Sequence, residues 1–145
     1  MVMCDYFSAA SDEVAVGVLD APGGPDASVF DVLSLKDVDP VVVMPKLEGI
    51  LTDCTYDEAL ARPRSGRLLS DPEAEGAFVV SVSDTLRDAL ATASGDQLGM
   101  AAGPFAAVEE LSLTPTKTWE LLNRLCGLAR RAVAEDRRLY CWWAL

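Results

Sequence analysis

Short β-forming runs alternate along this chain with longer segments in which apolar residues recur at helical spacing. Three runs rich in β-branched and aromatic residues predict strands, and they span residues 2–9, 77–82 and 139–143. The middle run, Ala-Phe-Val-Val-Ser-Val, is apolar almost throughout, which indicates a strand buried on both faces. We therefore expect a small sheet whose last strand is aromatic.

Helical spacing predicts the longest helix over about residues 116–135. Its predicted apolar stripe consists of Trp119, Leu122, Leu125, Cys126, Ala129 and Val133. Another helix is predicted after Ser83 as its N-cap, with Gly95 as its stop. Residues 96–110 are predicted to form short helical turns that Gly103-Pro104 interrupts.

Residues 13–19 are compatible with a helix or with a strand, because their valines alternate as they would in a strand. Ser11 ahead of two acidic residues is typical of an N-cap and favours a helix over residues 12–20. Residues 29–35 are equally ambiguous and predict a short strand or a helical turn.

Residues 40–45 are a third ambiguous segment. Three consecutive valines and Pro45 favour a strand, since β-branched residues and proline are poor inside helices. Asp39-Pro40 instead has the pattern of an N-cap followed by proline at the first helical position. We predict a helix over residues 40–52.

The longest predicted loop covers residues 62–76. A short helix precedes it, because Thr55 and Glu58 have the spacing of a capping box. The loop concentrates three cations, Arg62, Arg64 and Arg67. Two interpretations stay open: an anion clamp, which suits guanidinium geometry, or a loop tethered to nearby acids by surface ion pairs.

These elements predict an α+β fold in which helices cover a small sheet. A length of 145 residues fits a single domain over residues 1–145. The longest apolar runs fall short of the roughly 20 residues that span a bilayer.

Charge is distributed unevenly along the chain. Residues 1–61 carry a balance of −10 and residues 62–115 a balance of −4, whereas the last thirty residues carry +3, for a net −11. This division predicts either a C-terminal segment that docks on the acidic remainder or an acidic face for a basic partner. Nucleic acid and anionic membranes are disfavoured as partners, because an acidic surface repels phosphate.

Cofactor and metal sites are not predicted. The chain has no histidine, so a zinc site would need all four cysteines, Cys4, Cys54, Cys126 and Cys141, which have no Cys-x-x-Cys spacing. We interpret them as free thiols in a reducing cytoplasm, with Cys54 the most accessible. No glycine-rich phosphate loop is present, and we assign no catalytic, cofactor-binding or metal-binding residue.

The order of these segments resembles the YfbM-like family of uncharacterised bacterial proteins. The similar segments are residues 1–7, residues 38–40 followed by 47–52, and residues 76–79, together with the long closing helix and terminal strand. Asp53 stands where that family would have glycine. The resemblance implies an α+β domain and carries no activity with it.

Other candidate groups are acidic pairs and tryptophans. The pairs are Asp12/Glu13, Asp57/Glu58 and Glu109/Glu110. Neighbours on a helix point about 100° apart, so we expect surface and first-turn roles for them.

Trp142 and Trp143 must point to opposite faces of a strand. One ring is expected in the core, and the other is the best candidate for an interface.

The absence of histidine, of a metal motif and of a nucleophile–base pair favours binding over catalysis. We predict an acidic interaction protein that recognises a basic protein partner, as an immunity or inhibitor-type protein does. The alternative is a small cofactor-independent enzyme that uses Asp, Glu or Arg in a cleft near residues 62–76.

Salt should stabilise the protein. At a net charge of −11, self-repulsion is expected to exceed attraction between the basic C-terminal segment and the acidic remainder, and salt screens both. The melting temperature at neutral pH should therefore rise between about 0.01 and 0.15 M NaCl. A fall over that range would show that internal attraction dominates.

Overall fold

The computed structural model describes residues 2–145. Five strands are β1 (Met3–Ala9), β2 (Val32–Lys36), β3 (Arg67–Leu68), β4 (Ala77–Ser81) and β5 (Arg138–Ala144). Six helices are α1 (Asp12–Val16), which continues as a 3-10 turn over Gly17–Asp20, α2 (Val43–Thr52), α3 (Tyr56–Leu60), α4 (Asp84–Thr92), α5 (Gly95–Ala106) and α6 (Pro115–Ala134).

All five strands form one antiparallel sheet in the order β2-β1-β5-β4-β3. The last strand of the chain lies in the middle, with Cys141 opposite Tyr6 of β1 and Val80 of β4. Because β5 pairs with β1, the first and the last strand of the chain lie side by side.

Both faces of the sheet are covered. The larger core lies on one face, where Leu139 and Cys141 of β5 pack with α2, α4, α5 and α6. On the other face Phe7 and Tyr140 pack with α1 and with Phe30 of the segment before β2. The structure is thus a single compact α+β domain, as predicted.

The three predicted strands are confirmed as β1, β4 and β5. The sheet has two more strands at its edges. Residues 29–35, which were ambiguous, contribute β2 at 32–36, and the predicted 62–76 loop contains the two-residue strand β3.

Helix prevails in residues 13–19 and, from Val43 onward, in residues 40–45. Ser11 caps α1, its side chain accepting a hydrogen bond from the N–H of Val14 at 3.2 Å. Asp39 first forms a turn, in which its carboxylate accepts from the N–H groups of Val41 and Val42, so α2 begins later than predicted, at Val43. Pro45 then falls in the first turn, where backbone N–H groups have no intrahelical acceptor.

The predictions of Gly95 as a helix stop and of interrupted helical turns over residues 96–110 were wrong. Ser94 and Gln97 form a capping box, with the Ser94 side chain accepting from Gln97 N at 3.1 Å and the Gln97 side chain accepting from Ser94 N at 2.8 Å. Gly95 therefore begins a helix and does not end one. Gly103-Pro104 lies near the end of this helix and does not interrupt it.

The long helix is confirmed, but its buried face was partly misassigned. Trp119 and Val133 are 39% and 46% exposed, whereas Leu121 and Leu128, which the predicted stripe omitted, are 5% and 1% exposed. The reason is that α6 packs against the sheet and against α4 and α5 at once, so its buried face is broad and turned toward Leu121 and Leu128. Within residues 2–145, no helix is both long and apolar enough to cross a membrane.

Substitutions on α6 should distinguish the two assignments of its buried face. Leu128→Ala leaves a cavity between packed helices and should lower the free energy of unfolding by about 2–4 kcal/mol. Val133→Ala, on the exposed side, should change it by about 0.5 kcal/mol or less. Urea denaturation of both variants measures the difference, and equal losses would contradict the observed face.

Candidate functional site

A cleft of about 590 Å³ opens at one end of the sheet, where β1 leaves and β5 enters. Four parts of the chain surround it: the segment after β1, the start of α1, the start of α4 and the turn before β5. The lining residues are Ala10, Ser11, Asp12, Glu13, Asp84, Arg87, Asp136 and Arg138. The cleft is therefore polar, with four acidic and two basic side chains.

Helix caps place the acidic residues around this cleft. Ser11 and Ser83 cap α1 and α4, which puts Asp12 and Asp84 in first turns, where the helix dipole favours a carboxylate. Asp136 adopts a left-handed conformation (φ 55°) in the turn between α6 and β5. Aspartate tolerates this conformation better than most residues, so local sequence accounts for its position.

Arg64 lies beneath the cleft and connects its walls. Its side chain is 13% exposed, and its guanidinium carbon lies 5.5 Å from the centre of the Tyr140 ring. Its Nη1 donates to Oδ2 of Asp12 at 3.2 Å. Its backbone has φ 70°, an uncommon conformation for arginine, and the Ser81 hydroxyl donates to its carbonyl at 2.6 Å. The fold therefore holds Arg64 in a strained conformation that aims its side chain at Asp12.

The protonation states around Arg64 are fixed near neutral pH. Hydrogen bonding from Arg64 is the main cause that lowers the pKa of Asp12, and the Tyr140 hydroxyl also donates to Asp12 at 2.7 Å. Burial, and after it the adjacent Asp12 carboxylate, raise the pKa of Tyr140 to about 12. Neither group is suited to exchange protons at neutral pH, as a general acid or base would.

Asp84 is shared among three arginines. Its carboxylate lies 3.7 Å from Nε of Arg64, 3.9 Å from Nη1 of Arg87 and 3.4 Å from Nε of Arg138. None of these contacts satisfies its buried Oδ1 atom with a hydrogen bond, and Nε and Nη2 of Arg64 are likewise without a hydrogen-bond partner in residues 2–145. Asp12 and Asp84, the inner acids of the cleft, thus hold its cations through charge more than through aligned hydrogen bonds.

Glu13 and Asp136 differ from these inner acids. Both are exposed, and across the described part of the chain no cation lies within ion-pair distance of either carboxylate. The cleft therefore has an internally neutralised floor and two carboxylates at its wall without a counter-ion.

The three loop arginines do not converge on one site. Arg62 pairs with Glu48 at 2.5 Å, Arg64 pairs with Asp12, and Arg67 lies exposed on β3. A clamp built from all three is therefore wrong. The tether interpretation holds for Arg62 and Arg64, but their side chains are largely covered (29% and 13% exposed) and the pairs are not surface pairs.

Glu48 is a buried charge that the sequence analysis missed. It is 1% exposed, and its carboxylate accepts hydrogen bonds from the side chains of Ser83, Thr85 and Arg62, each at 2.5 Å. These contacts join α2, α4 and the start of the 62–76 loop. The sequence does contain one indication that Glu48 is buried: it stands beside Leu47 in the apolar part of the predicted 40–52 helix.

The remaining acidic pairs have structural or surface roles. Glu58 completes the capping box of α3 with Thr55, and Glu110 pairs with Lys46 at 2.7 Å. Of the three pairs, Asp12/Glu13 is the one that enters the cleft, with its members in different environments.

All four cysteines are free thiols, three of them buried. Cys54 is partly exposed, as expected, with its sulfur 3.3 Å from the Thr52 hydroxyl. In the part of the chain that the structure describes, no group of three or more Cys, Asp or Glu side chains is arranged to hold a metal ion.

Trp142 and Trp143 point to opposite faces, as predicted. Trp143 packs on the helix-covered face beside Phe78, at 6.5 Å between ring centres. Trp142 packs on the other face against Gly24, where a Cβ atom would lie 2.8 Å from the indole ring. Both rings are partly covered by this chain itself, which weakens the expected interface at either of them.

No protein-family model matches this chain, and neither the curated proteins nor the solved structures compared with it gave a match. A functional proposal therefore depends on the geometry of the molecule.

Asp12→Asn should reduce stability in a pH-dependent manner. Because the pKa of Asp12 is lowered in the folded state, its contribution is present above its unfolded-state pKa of about 3.9 and is lost as pH falls through its folded-state pKa. The variant should be less stable than the parent protein at pH 7, and the two should converge in acid.

Thermal denaturation between pH 7 and pH 3 measures this convergence. Glu13→Gln is the matched control, since it removes the adjacent carboxylate that contacts no cation. A deficit of the Asp12→Asn variant that persists undiminished at the lowest pH would contradict the assigned role of the Arg64–Asp12 contact.

Proposed function

We propose that this protein is a non-enzymatic binding protein whose cleft receives basic side chains of a protein partner. The observation that carries the proposal is the pair of exposed carboxylates, Glu13 and Asp136, which share the cleft wall and have no counter-ion among residues 2–145. A guest arginine or lysine would supply the missing charge. The net charge of −11 would also accelerate the encounter with a basic protein.

The floor of the cleft supports binding because it is ordered by the protein's own contacts. Arg64 holds Asp12, and Arg138 and Arg87 lie beside Asp84, so the inner acids are occupied and the outer two are available. A site that is already formed avoids the cost of ordering side chains when the partner binds.

An apolar surface adjoins the acidic wall. Glu13 also borders a second cavity of about 470 Å³, together with Val16 and Leu69. The aliphatic stem of a lysine or arginine could lie on such a surface while its charged end meets the carboxylates. This arrangement favours a long basic side chain over a small inorganic cation.

An immunity or inhibitor-type protein is the concrete form that we propose, acting in the cytoplasm on a basic protein. The four free thiols are consistent with a reducing compartment. Membership of the YfbM-like family is proposed as well, on the segments that resemble it.

One observation favours the alternative, a cofactor-independent enzyme. Arg64 belongs to the 62–76 loop, has a strained backbone and keeps two buried donor atoms without hydrogen-bond partners, features that cluster at active sites. The fixed protonation states of Asp12 and Tyr140 weigh against it, because proton transfer at neutral pH needs a group that can change state.

Titration with a basic peptide tests the proposed cleft. The probe is acetyl-Gly-Arg-Gly-Arg-Gly-Arg-amide, added to ¹⁵N-labelled protein at low salt. Amide shifts should concentrate at residues 11–13, 84–87 and 136–138 and should weaken steeply as salt rises toward about 0.3 M. A single-stranded oligonucleotide should cause no shift.

A double variant controls for net charge. Glu13→Gln with Asp136→Asn should weaken peptide binding by about fivefold or more. Glu73→Gln with Glu75→Gln removes the same charge from exposed positions of the 62–76 loop and should have little effect. Equal losses in both double variants would indicate general attraction to an acidic protein and would refute the cleft.

A further inference from the structure

Three of the cations without an internal partner lie together on one surface. The chain has twelve Lys and Arg residues. Seven make ion pairs within residues 2–145, and Arg130 donates to the carbonyls of Ala91 and Ala93. The other four are Lys36, Arg67, Lys117 and Arg124, and all except Arg67 line one groove between β2 and α6.

The groove has an apolar floor. It has a volume of about 360 Å³, and its floor contains Leu35 and Val38 from the β2 side and Leu113 and Leu121 from the α6 side. Glu120 is the acidic residue of the lining, so the three cations leave a net charge of +2. A basic apolar groove is unexpected on a protein with a net charge of −11.

One wall of the groove is an open sheet edge. Strand β2 is the first in the sheet order, and of the described strands it pairs with β1 alone. The N–H of Asp37 donates to the carbonyl of Val2, so the alternation of an antiparallel ladder directs Leu33 and Leu35 toward β1. The backbone groups of Val32, Ser34 and Lys36 therefore face outward, available to another strand.

We propose that an extended acidic peptide segment of another protein binds here as a sixth strand along β2. Its backbone would pair with the outward groups of Ser34 and Lys36. On the face of the added strand that α6 covers, an apolar side chain would meet the leucine floor, between two carboxylates that meet Lys117 and Arg124. Carboxylates on the opposite face of the added strand would lie beside Lys36. This is binding by strand addition in a groove between a sheet edge and a helix. It is independent of the acidic cleft and of the basic partner proposed for it.

The dimensions fit a short segment. Lys117 and Arg124 are seven residues apart on α6, which corresponds to about 10.5 Å along the helix axis. Three residues of an extended strand cover about 10 Å, so three to four residues match the distance between these two cations, and a segment of five to seven residues extends beyond it at both ends.

Charge favours this occupant over a second copy of the chain. Two copies that met edge to edge through β2 would bring the unpaired cations of both grooves together, and like charges across an interface cost affinity. An acidic segment instead removes the repulsion among Lys36, Lys117 and Arg124.

The probe for this groove is acetyl-Ser-Glu-Glu-Val-Glu-Glu-Ser-amide, whose central valine shares one face with two of its glutamates, titrated into ¹⁵N-labelled protein. Amide shifts are expected along residues 32–36 and 117–124, with slower hydrogen exchange at Ser34 and Lys36. The same peptide with lysine in place of glutamate should not bind. A version that is N-methylated at the residues whose N–H groups face β2 keeps the charge but loses those backbone donors, and it should bind at least about fivefold more weakly.

Charge reversal at matched positions completes the test. Lys117→Glu should weaken binding of the glutamate peptide by about fivefold or more. Arg67→Glu makes the same charge change at the opposite edge of the sheet and should have little effect. Absence of shifts in β2, or undiminished binding of the N-methylated peptide, would overturn the proposal.

Two other occupants of the groove would give different experimental results, and either result would also overturn the proposal. Sedimentation of the protein alone as a dimer, with the Ser34 amide already protected from exchange, would assign the groove to a second copy. Binding to phosphatidylserine vesicles that Lys117→Glu abolishes, without binding of the glutamate peptide, would assign it to an anionic membrane surface.

Discussion

The position of β5 at the centre of the sheet is the constraint on which the rest of the structure depends. Strand β5 (Arg138–Ala144) pairs with β1 (Met3–Ala9), which lies nearly the whole length of the chain away in sequence. On its other side β5 pairs with β4, and β3 lies beyond β4 in the sheet. Because β5 is central, its alternating residues need cover on both faces. Helices α2, α4, α5 and α6 cover one face, while the short α1 and the segment before β2 cover the other. The acidic cleft lies where these two coverings meet at the start of β5.

Two ion pairs, each with one side chain largely buried, fix the loop that follows α3 at two points. Arg62 reaches Glu48 between α2 and α4, and Arg64 reaches Asp12 at the start of α1. Burying an ion pair is costly, so neither contact need add net stability, but loss of one partner would leave a buried charge uncompensated. Glu48 accepts three hydrogen bonds and is therefore satisfied as a carboxylate. These contacts set the position of Arg64 and, through it, the floor of the cleft.

Local patterns in the sequence predicted most of the elements but little of the site. The strands β1, β4 and β5 and the caps at Ser11, Thr55 and Ser83 are encoded by neighbouring residues, and the structure confirms them. Strand β3 has two residues, too few for a periodic signal. The contacts of the cleft join residues far apart in sequence, such as Arg64 with Asp12 and Tyr140 with Asp12, and a single sequence gives no information on such pairs.

The uneven charge along the chain has two uses in the folded molecule. Part of the basic C-terminal segment docks internally, since Arg131 pairs with Asp31 at 2.6 Å and Arg130 caps the carbonyl end of α4. Lys117 and Arg124 lie on another side of α6, in a groove that also contains Glu120, and neither makes an ion pair within residues 2–145. Internal docking therefore accounts for one face of α6, another face contributes to the basic groove, and the acidic face for a basic partner stays a proposal that concerns the cleft. A net acidic chain thus carries both an acidic cleft and, beside β2, a groove of opposite sign.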